Sequence, residues 1–522
     1  MPVAEIIFTN AQVLTRDSDQ PRASQLAIQG NRIVAVGDDL SSCTNDETVS
    51  IDLKRSIIVP GFIDAHVHFL WGGASLLTIQ AQTARSRQEF MEIVSRFARG
   101  RQPGSWLKGG GWNEHLFSDK GLPHKSWLDE AAPGYPMILQ RHDGHSGIAS
   151  SRALELAEIT ASTPDPEGGL IDRDESGEPT GILRDSAMGL VMDLIPEETE
   201  LELDQYFNAA QNHLLDHGVT AIADMIHDLK HFQFLQKMAV EGKLKLRVTA
   251  YTPLLKWEEM KAILVEGIYE DEWFQFKGLK GFCDGSLGSR TALMLEPYEN
   301  TPISSGIHDT DWSNVDLIEK ILTEADQNGY QVLIHAIGDR ANREVLDIFE
   351  AVIQKNGPRD RRFRIEHAQH IHPTDQKRIS SLNVIASVQP AHCVDDSRYA
   401  DDLLGERSQY AYPFQAFLKK GVRLAFGSDW PVSPPDPIAT IHGAIHRGGW
   451  RMEQALEFEQ ALDAHTQGSA YACFREHDLG KLKAGHLADF AILGPEFAQL
   501  PGAEKIPENL IRSVYVNGSK VR

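Results

Sequence analysis

The sequence predicts an α/β protein: a (β/α)8 TIM-like barrel, a small β-sandwich made from both chain termini, and a large insertion after the first barrel strand. Three observations carry this expectation. Eight β-branched or apolar runs alternate with amphipathic helical stretches, the pattern that builds parallel sheets with helical crossovers. Short strand-and-turn patterns recur at the two ends, each too small to bury a core by itself. About 150 residues separate the first run from the second, far more than a simple crossover needs.

Taken in order, residues 5–14, 25–29 and 32–36 read as short strands, the last following the Gly30-Asn31 turn. A matching pattern returns at 487–493 and 511–516, before Asn517-Gly518. Residues 1–56 and 478–522 are therefore expected to pair into one sandwich. Between them, 57–477 form the barrel, with strands at 57–68, 219–225, 244–251, 274–284, 331–335, 363–367, 384–389 and 423–429. Residues 199–217 and 316–328 are examples of the intervening helices. In such a barrel the chemistry sits at the C-terminal strand ends.

The insertion, about residues 73–200, holds Trp106, Gly109-Gly-Gly-Trp-Asn113, Gly121-Leu-Pro-His124 and Arg141-His-Asp-Gly-His145. Because it leaves the barrel after strand one, it is expected either to form a lid or pocket wall or to be structural embellishment.

With 522 residues, 41% of them hydrophobic, the chain can bury a large core and a second one. A formal charge of −23, with no basic run, argues against a nucleic-acid partner. No segment approaches the roughly 18 uninterrupted apolar residues of a membrane span, and the N-terminus lacks a basic-then-apolar leader. A soluble, cytoplasmic protein is expected, with no membrane partner and, as an oligomer, a homodimer. Cys43, Cys283, Cys393 and Cys473 are too far apart for a thiolate metal site and read as reduced, buried thiols.

The chemistry begins at Ile57-Ile-Val-Pro-Gly-Phe-Ile-Asp-Ala-His-Val-His68. Side chains alternate across a strand, so His66 and His68 share a face with Asp64. Two imidazoles side by side make a bidentate grip on zinc or a neighbouring dication. His335 ends Val332-Leu-Ile-His, His367 ends Phe363-Arg-Ile-Glu-His, and Asp429 closes Ala425-Phe-Gly-Ser-Asp. Taken singly, each histidine also reads as a core residue and Asp429 as a helix cap. Barrel closure, however, brings these four strand ends together, and four nitrogens with one carboxylate suit a first-row dication.

Lys280, on the fourth strand, cannot bind metal as an ammonium. Buried beside dications its pKa would fall, and the neutral amine could add carbon dioxide to give a bridging carbamate. The alternative is an ordinary ion pair with Asp284, which shares its strand parity and could itself be a ligand.

Val59-Pro-Gly-Phe-Ile-Asp-Ala-His-Val-His68, Ile334-His-Ala-Ile-Gly-Asp339, Ile365-Glu-His367 and Gly427-Ser-Asp429 resemble the amidohydrolase superfamily. The stretch from Lys280-Gly-Phe-Cys-Asp to Arg290-Thr-Ala292, Arg141-His-Asp-Gly-His145, Gly168-Gly and Glu178-Pro-Thr-Gly181 narrow this further. They are similar to the branch that includes N-substituted formamide deformylase and many metal-dependent hydrolases. The resemblance implies His66 and His68 on the more buried metal with Asp429, a carboxylated Lys280 as bridge, and His335 and His367 on a second metal. One or two Zn2+ ions are the implied cofactors, two if Lys280 is carboxylated.

Such a site lowers the pKa of bound water from about 15.7 toward roughly 7. The expected reaction is hydrolysis of a C–N bond in a small amide or cyclic amide by metal-activated hydroxide, with Asp429 as general acid and base. A mononuclear aminohydrolase, a deaminase on the same barrel, is the alternative, but no glutamate closely follows His335. A non-catalytic scaffold is disfavoured because every candidate ligand is present. Trp71, Trp112 and Trp430 beside the mouth motifs are candidate pocket-lining residues. His145, Asp284 and His392 complete the candidate substrate-binding set.

Overall fold

Eight parallel strands in one sheet carry the centre of the fold, seen in a computed structural model that describes residues 2–118, 121–141, 146–166 and 169–522. They are β1 (Phe62–Val67), β2 (Val219–Met225), β3 (Arg247–Pro253), β4 (Phe274–Phe282), β5 (Gln331–Ala336), β6 (Arg364–His367), β7 (Ile385–Val388) and β8 (Leu424–Phe426). Each pairs in parallel with the next in chain order. The first and last strands meet through Asp429 N to His66 O at 2.7 Å and His68 N to Trp430 O at 2.9 Å, which brings the TIM-like barrel close to closure. All residues of β2, β6, β7 and β8 are buried, as strands covered on both faces of a parallel sheet are.

The expected first strand, 57–68, is two strands in two different sheets. Ile57–Pro60 runs antiparallel to Phe490–Leu493 in a six-stranded terminal sheet, and β1 begins after Gly61. A side chain at Gly61 would start 2.0 Å from Thr220 Oγ1, so only glycine lets the chain pass β2 this closely. The third strand starts later than 244–251 suggested, and the eighth stops before Asp429.

The chain divides into two compact units, Met1–Phe69 with Gln211–Arg522, and Leu70–Ala210. In the first, the six-stranded terminal sheet and a four-stranded sheet built from Ile6–Thr9, Gln25–Gln29, Arg32–Gly37 and Val49–Asp52 share one core. Phe8, Leu26 and Ile33 meet Val13, Ile58, Phe490 and Tyr515 there. A buried ion pair ties β3 to the C-terminal segment, Arg247 Nε donating to Asp489 Oδ2 at 2.6 Å and Nη2 to Oδ1 at 3.0 Å.

The second unit has its own mixed six-stranded sheet and a core that includes Phe90, Trp112, Trp127 and Leu139. Its three successive glycines have a steric reason: Cβ atoms on Gly109 and Gly110 would lie 2.2 and 2.1 Å from the Ile79 and Gln140 carbonyl oxygens. All four cysteines are buried. Among the described residues, no helix is long and apolar enough to cross a membrane.

Candidate metal centre

The C-terminal end of β1 presents His66 and His68 toward Asp429, whose backbone is held against β1 by the closing hydrogen bonds. His66 Nε2 and His68 Nε2 lie 3.4 and 3.2 Å from the same carboxylate oxygen, Asp429 Oδ1. Two donors about 2.0–2.1 Å from a tetrahedral ion stand roughly 3.3–3.4 Å apart, so the spacing fits one first-row dication. The donor chemistry, two imidazole nitrogens and a carboxylate, fits it too.

The tautomers are set by what the other ring nitrogens touch. His68 Nδ1–H donates to the Met225 carbonyl at 2.9 Å, and His66 Nδ1–H to Glu366 Oε2 at 2.5 Å. Neither acceptor can give a proton, so each Nδ1 carries a hydrogen and each Nε2 is the ring atom turned toward Asp429. His66 Nε2 is buried without a hydrogen-bond partner, as a ligand atom awaiting a cation should be. Burial keeps the His66 imidazole below its ordinary pKa, against the opposing pull of Asp429 and Glu366. Burial also pushes the Asp429 carboxyl up, but His66, His68 and His367 outweigh it and hold the group well below the usual carboxylate range.

A second set of donors lies beside the first. His367, His392 and Asp429 bring their ligand atoms within 4.8 Å of one another, and His392 Nε2 is 4.0 Å from Asp429 Oδ2. His367 Nδ1 meets Gln389 Oε1 at 2.8 Å, leaving Nε2 as its ligand atom. The His367 ring is 5.0 Å from that of His66 and 4.4 Å from that of His335. His335 belongs to neither donor cluster. Its Nε2 donates to the Gly285 carbonyl at 3.1 Å, so its remaining lone pair is on Nδ1.

His367 and Asp429 both have left-handed backbones, with φ of 72° and 61°. Such angles cost energy for residues with a Cβ and gather at functional sites. At His367 the turn has a geometric result. Glu366 and His367 are neighbours on a strand and would face opposite sides, yet both reach His66.

Lys280 on β4 is 3% exposed, its Nζ has no hydrogen-bond partner, and it sits 3.6 Å from the centre of the Phe282 ring. Burial brings its pKa down to about 8, against the opposing pull of Glu366 and Asp429. The alternative, an ion pair with Asp284, is not formed. Asp284 instead accepts the backbone N–H groups of Leu293, Ile337 and Gly338 at 2.8, 2.9 and 2.8 Å, clamping the loops after β4 and β5. Asp64 likewise anchors the Ser428 N–H at 2.8 Å.

Trp112 also departs from expectation. It is fully buried in the insertion core, with Nε1 donating to the Leu139 carbonyl at 2.8 Å. Trp71, on the helix Phe69–Leu76, is 45% exposed, and the Trp430 ring packs 5.3 Å from that of His213. His145 lies outside the described residues.

Two residues of the site carried no role in the sequence. Arg364 Nε and Nη2 donate to Glu366 Oε1 and Oε2 at 2.7 and 3.1 Å, and Glu366 reaches on to His66. Burial would raise the Glu366 pKa, but Arg364 and His66 bring it down to about 2. Two charges, Arg364 and Glu366, alternating with Phe363 and Ile365 were the available sign.

The Amidohydrolase family model matches residues 50–522. Protein LONG AFTER FAR-RED 3 of Arabidopsis thaliana is 38% identical over 512 residues, covering 94% of this chain and 87% of that protein. N-substituted formamide deformylase of Arthrobacter pascens is 25% identical over 535 residues, covering 98% and 97%. The crystal structure of an uncharacterized metal-dependent hydrolase from Pyrococcus furiosus superposes with a TM-score of 0.79 at 30% identity, covering 94% of this chain and 98% of that one. Since the matched span contains all eight barrel strands and every donor at their ends, the chain belongs to the Amidohydrolase family.

Proposed function

We propose that this protein is a metal-dependent hydrolase that cleaves the C–N bond of a small amide or cyclic amide. The observation that carries the reading is the convergence of two imidazoles and one carboxylate, with the unpartnered Lys280 amine in the same buried region. His66, His68 and Asp429 would hold a divalent ion, and zinc suits this donor set. When bound, such an ion supplies Lewis acidity for activating water and polarising a carbonyl.

The chain's own residues supply the rest. Asp429 Oδ1 faces His66 and His68, while Oδ2 faces His392. Oδ2 is therefore the oxygen placed to take a proton from the attacking water and return it to the leaving nitrogen. His392 Nε2 has no hydrogen-bond partner and is positioned to orient the substrate carbonyl. A neutral Lys280 amine can add carbon dioxide, releasing one proton and forming a carbamate. With His335 and His367 nearby, that anion would complete a second cation site. The deaminase alternative lacks support because Ala336-Ile-Gly-Asp follows His335, and Asp339 starts the next helix.

The test is a screen of zinc-loaded protein against N-formyl amines, N-acyl amino acids, lactams and carbamates. The name of the Arthrobacter relative makes N-formyl amines the first class to try. Amine release, or ring opening for a lactam, supports the reading. Turnover confined to aminated aromatic bases, with ammonia as product, would replace it with the deaminase.

A further inference from the structure

We infer that Arg364 and Glu366 are positioning residues that act through His66, forming a buried charge relay that strengthens His66 as a metal ligand. The inference rests on reading His66, His68 and Asp429 as a cation site.

The relay is continuous. Arg364 donates through Nε to Glu366 Oε1 at 2.7 Å, and Glu366 Oε2 accepts His66 Nδ1–H at 2.5 Å. Arg364 Nη2 also donates to the Ala65 carbonyl at 2.5 Å and to Ser387 Oγ at 3.0 Å, so one guanidinium ties β6 to β1 and β7. The side chains of Arg364, Glu366 and His66 are all 0% exposed.

Stability alone does not account for this pair. Desolvating two charges offsets most of their attraction, and apolar residues of equal volume commonly serve a core as well or better. What an apolar pair could not do is hold an anion on the back of a metal ligand. A carboxylate accepting Nδ1–H raises the electron density at Nε2, and it fixes the ring plane so that Nε2 faces Asp429 Oδ1. The two histidines of the pair are treated differently, since His68 leans on the neutral Met225 carbonyl and His66 on a full negative charge. His66 is thus the stronger donor and the anchor of the cation.

The experiment measures cobalt(II) binding to metal-free full-length protein by calorimetry, with the visible absorption spectrum as a second readout. Glu366→Gln keeps an acceptor near His66 but leaves Arg364 without a counter-charge, so it is expected to lose both affinity and thermal stability. The double variant Arg364→Met with Glu366→Gln removes both charges together. It is expected to regain thermal stability while binding cobalt(II) about 10- to 100-fold more weakly than the wild type, with a shifted absorption band. Wild-type affinity and an unchanged spectrum in a folded double variant would overturn the inference and leave a purely structural ion pair. Absence of cobalt(II) binding to the wild type would instead overturn the hydrolase reading itself.

Discussion

Asp429 is where the residue scale matters most, because it is asked both to hold a cation and to carry a proton. Replacing it with asparagine keeps the shape and one oxygen donor but removes the base. Asp429→Asn is expected to lower kcat about 10²- to 10⁴-fold. Zinc content, read by elemental analysis, should fall far less, since His66 and His68 remain. Full activity at unchanged metal content would take Asp429 out of the mechanism. His66 and His68 were legible at this scale because strand alternation needs only local spacing. Glu366 was not, since its role depends on a partner 300 positions away. His367 stood out as a strand-end histidine, but no local pattern announces the positive φ that turns it beside Glu366.

At the scale of elements, the β8 exit packs tightly against β1. A Cβ on Gly427 would lie 2.6 Å from His66 N and 2.7 Å from His66 Cβ. Gly427→Ala must therefore push β1 and the segment bearing Asp429 apart. We expect a loss of about 1–3 kcal/mol in denaturant unfolding, the usual cost of overpacking. Zinc occupancy should drop in parallel, and retention of wild-type occupancy would show that the closure tolerates the shift. Seven of the eight strand positions could be read nearly in place from apolar runs. The first could not, because 57–68 reads as one continuous stretch that changes sheets at Gly61. The close approach of Thr220, a contact across β2, decides that break.

For the whole molecule, the terminal sheets and the barrel share one compact unit, and Arg247 with Asp489 joins them where neither is solvated. Asp489→Ala strands a buried guanidinium and removes the acceptor of the Asn517 N–H. A loss of about 3–5 kcal/mol is expected, visible as a lower Tm. An unchanged Tm would mean that the two parts hold together without the pair. Metal removal is expected to act at the same scale. Chelation should abolish turnover and lower Tm, and zinc at about 100 times its Kd should restore roughly 2.7 kcal/mol. If chelation leaves Tm unmoved, the cation contributes nothing to the folded state.

What the chain determined by itself was everything written in short-range pattern. That covers alternating strands and helices, small strands at both ends, the long insertion, and histidines and an aspartate at strand ends. Tertiary structure alone decided which groups face each other. Lys280 stands on the Phe282 ring and not on Asp284, Asp284 clamps two loops, Trp112 belongs to the insertion core, and Glu366 stands behind His66. The reason is physical: periodicity assigns a side chain to a face, but its neighbour across the barrel is set by inter-strand register and by a few strained dihedrals. Those are properties of the closed sheet, in which β1 meets β8 and Asp429 comes to lie against His66.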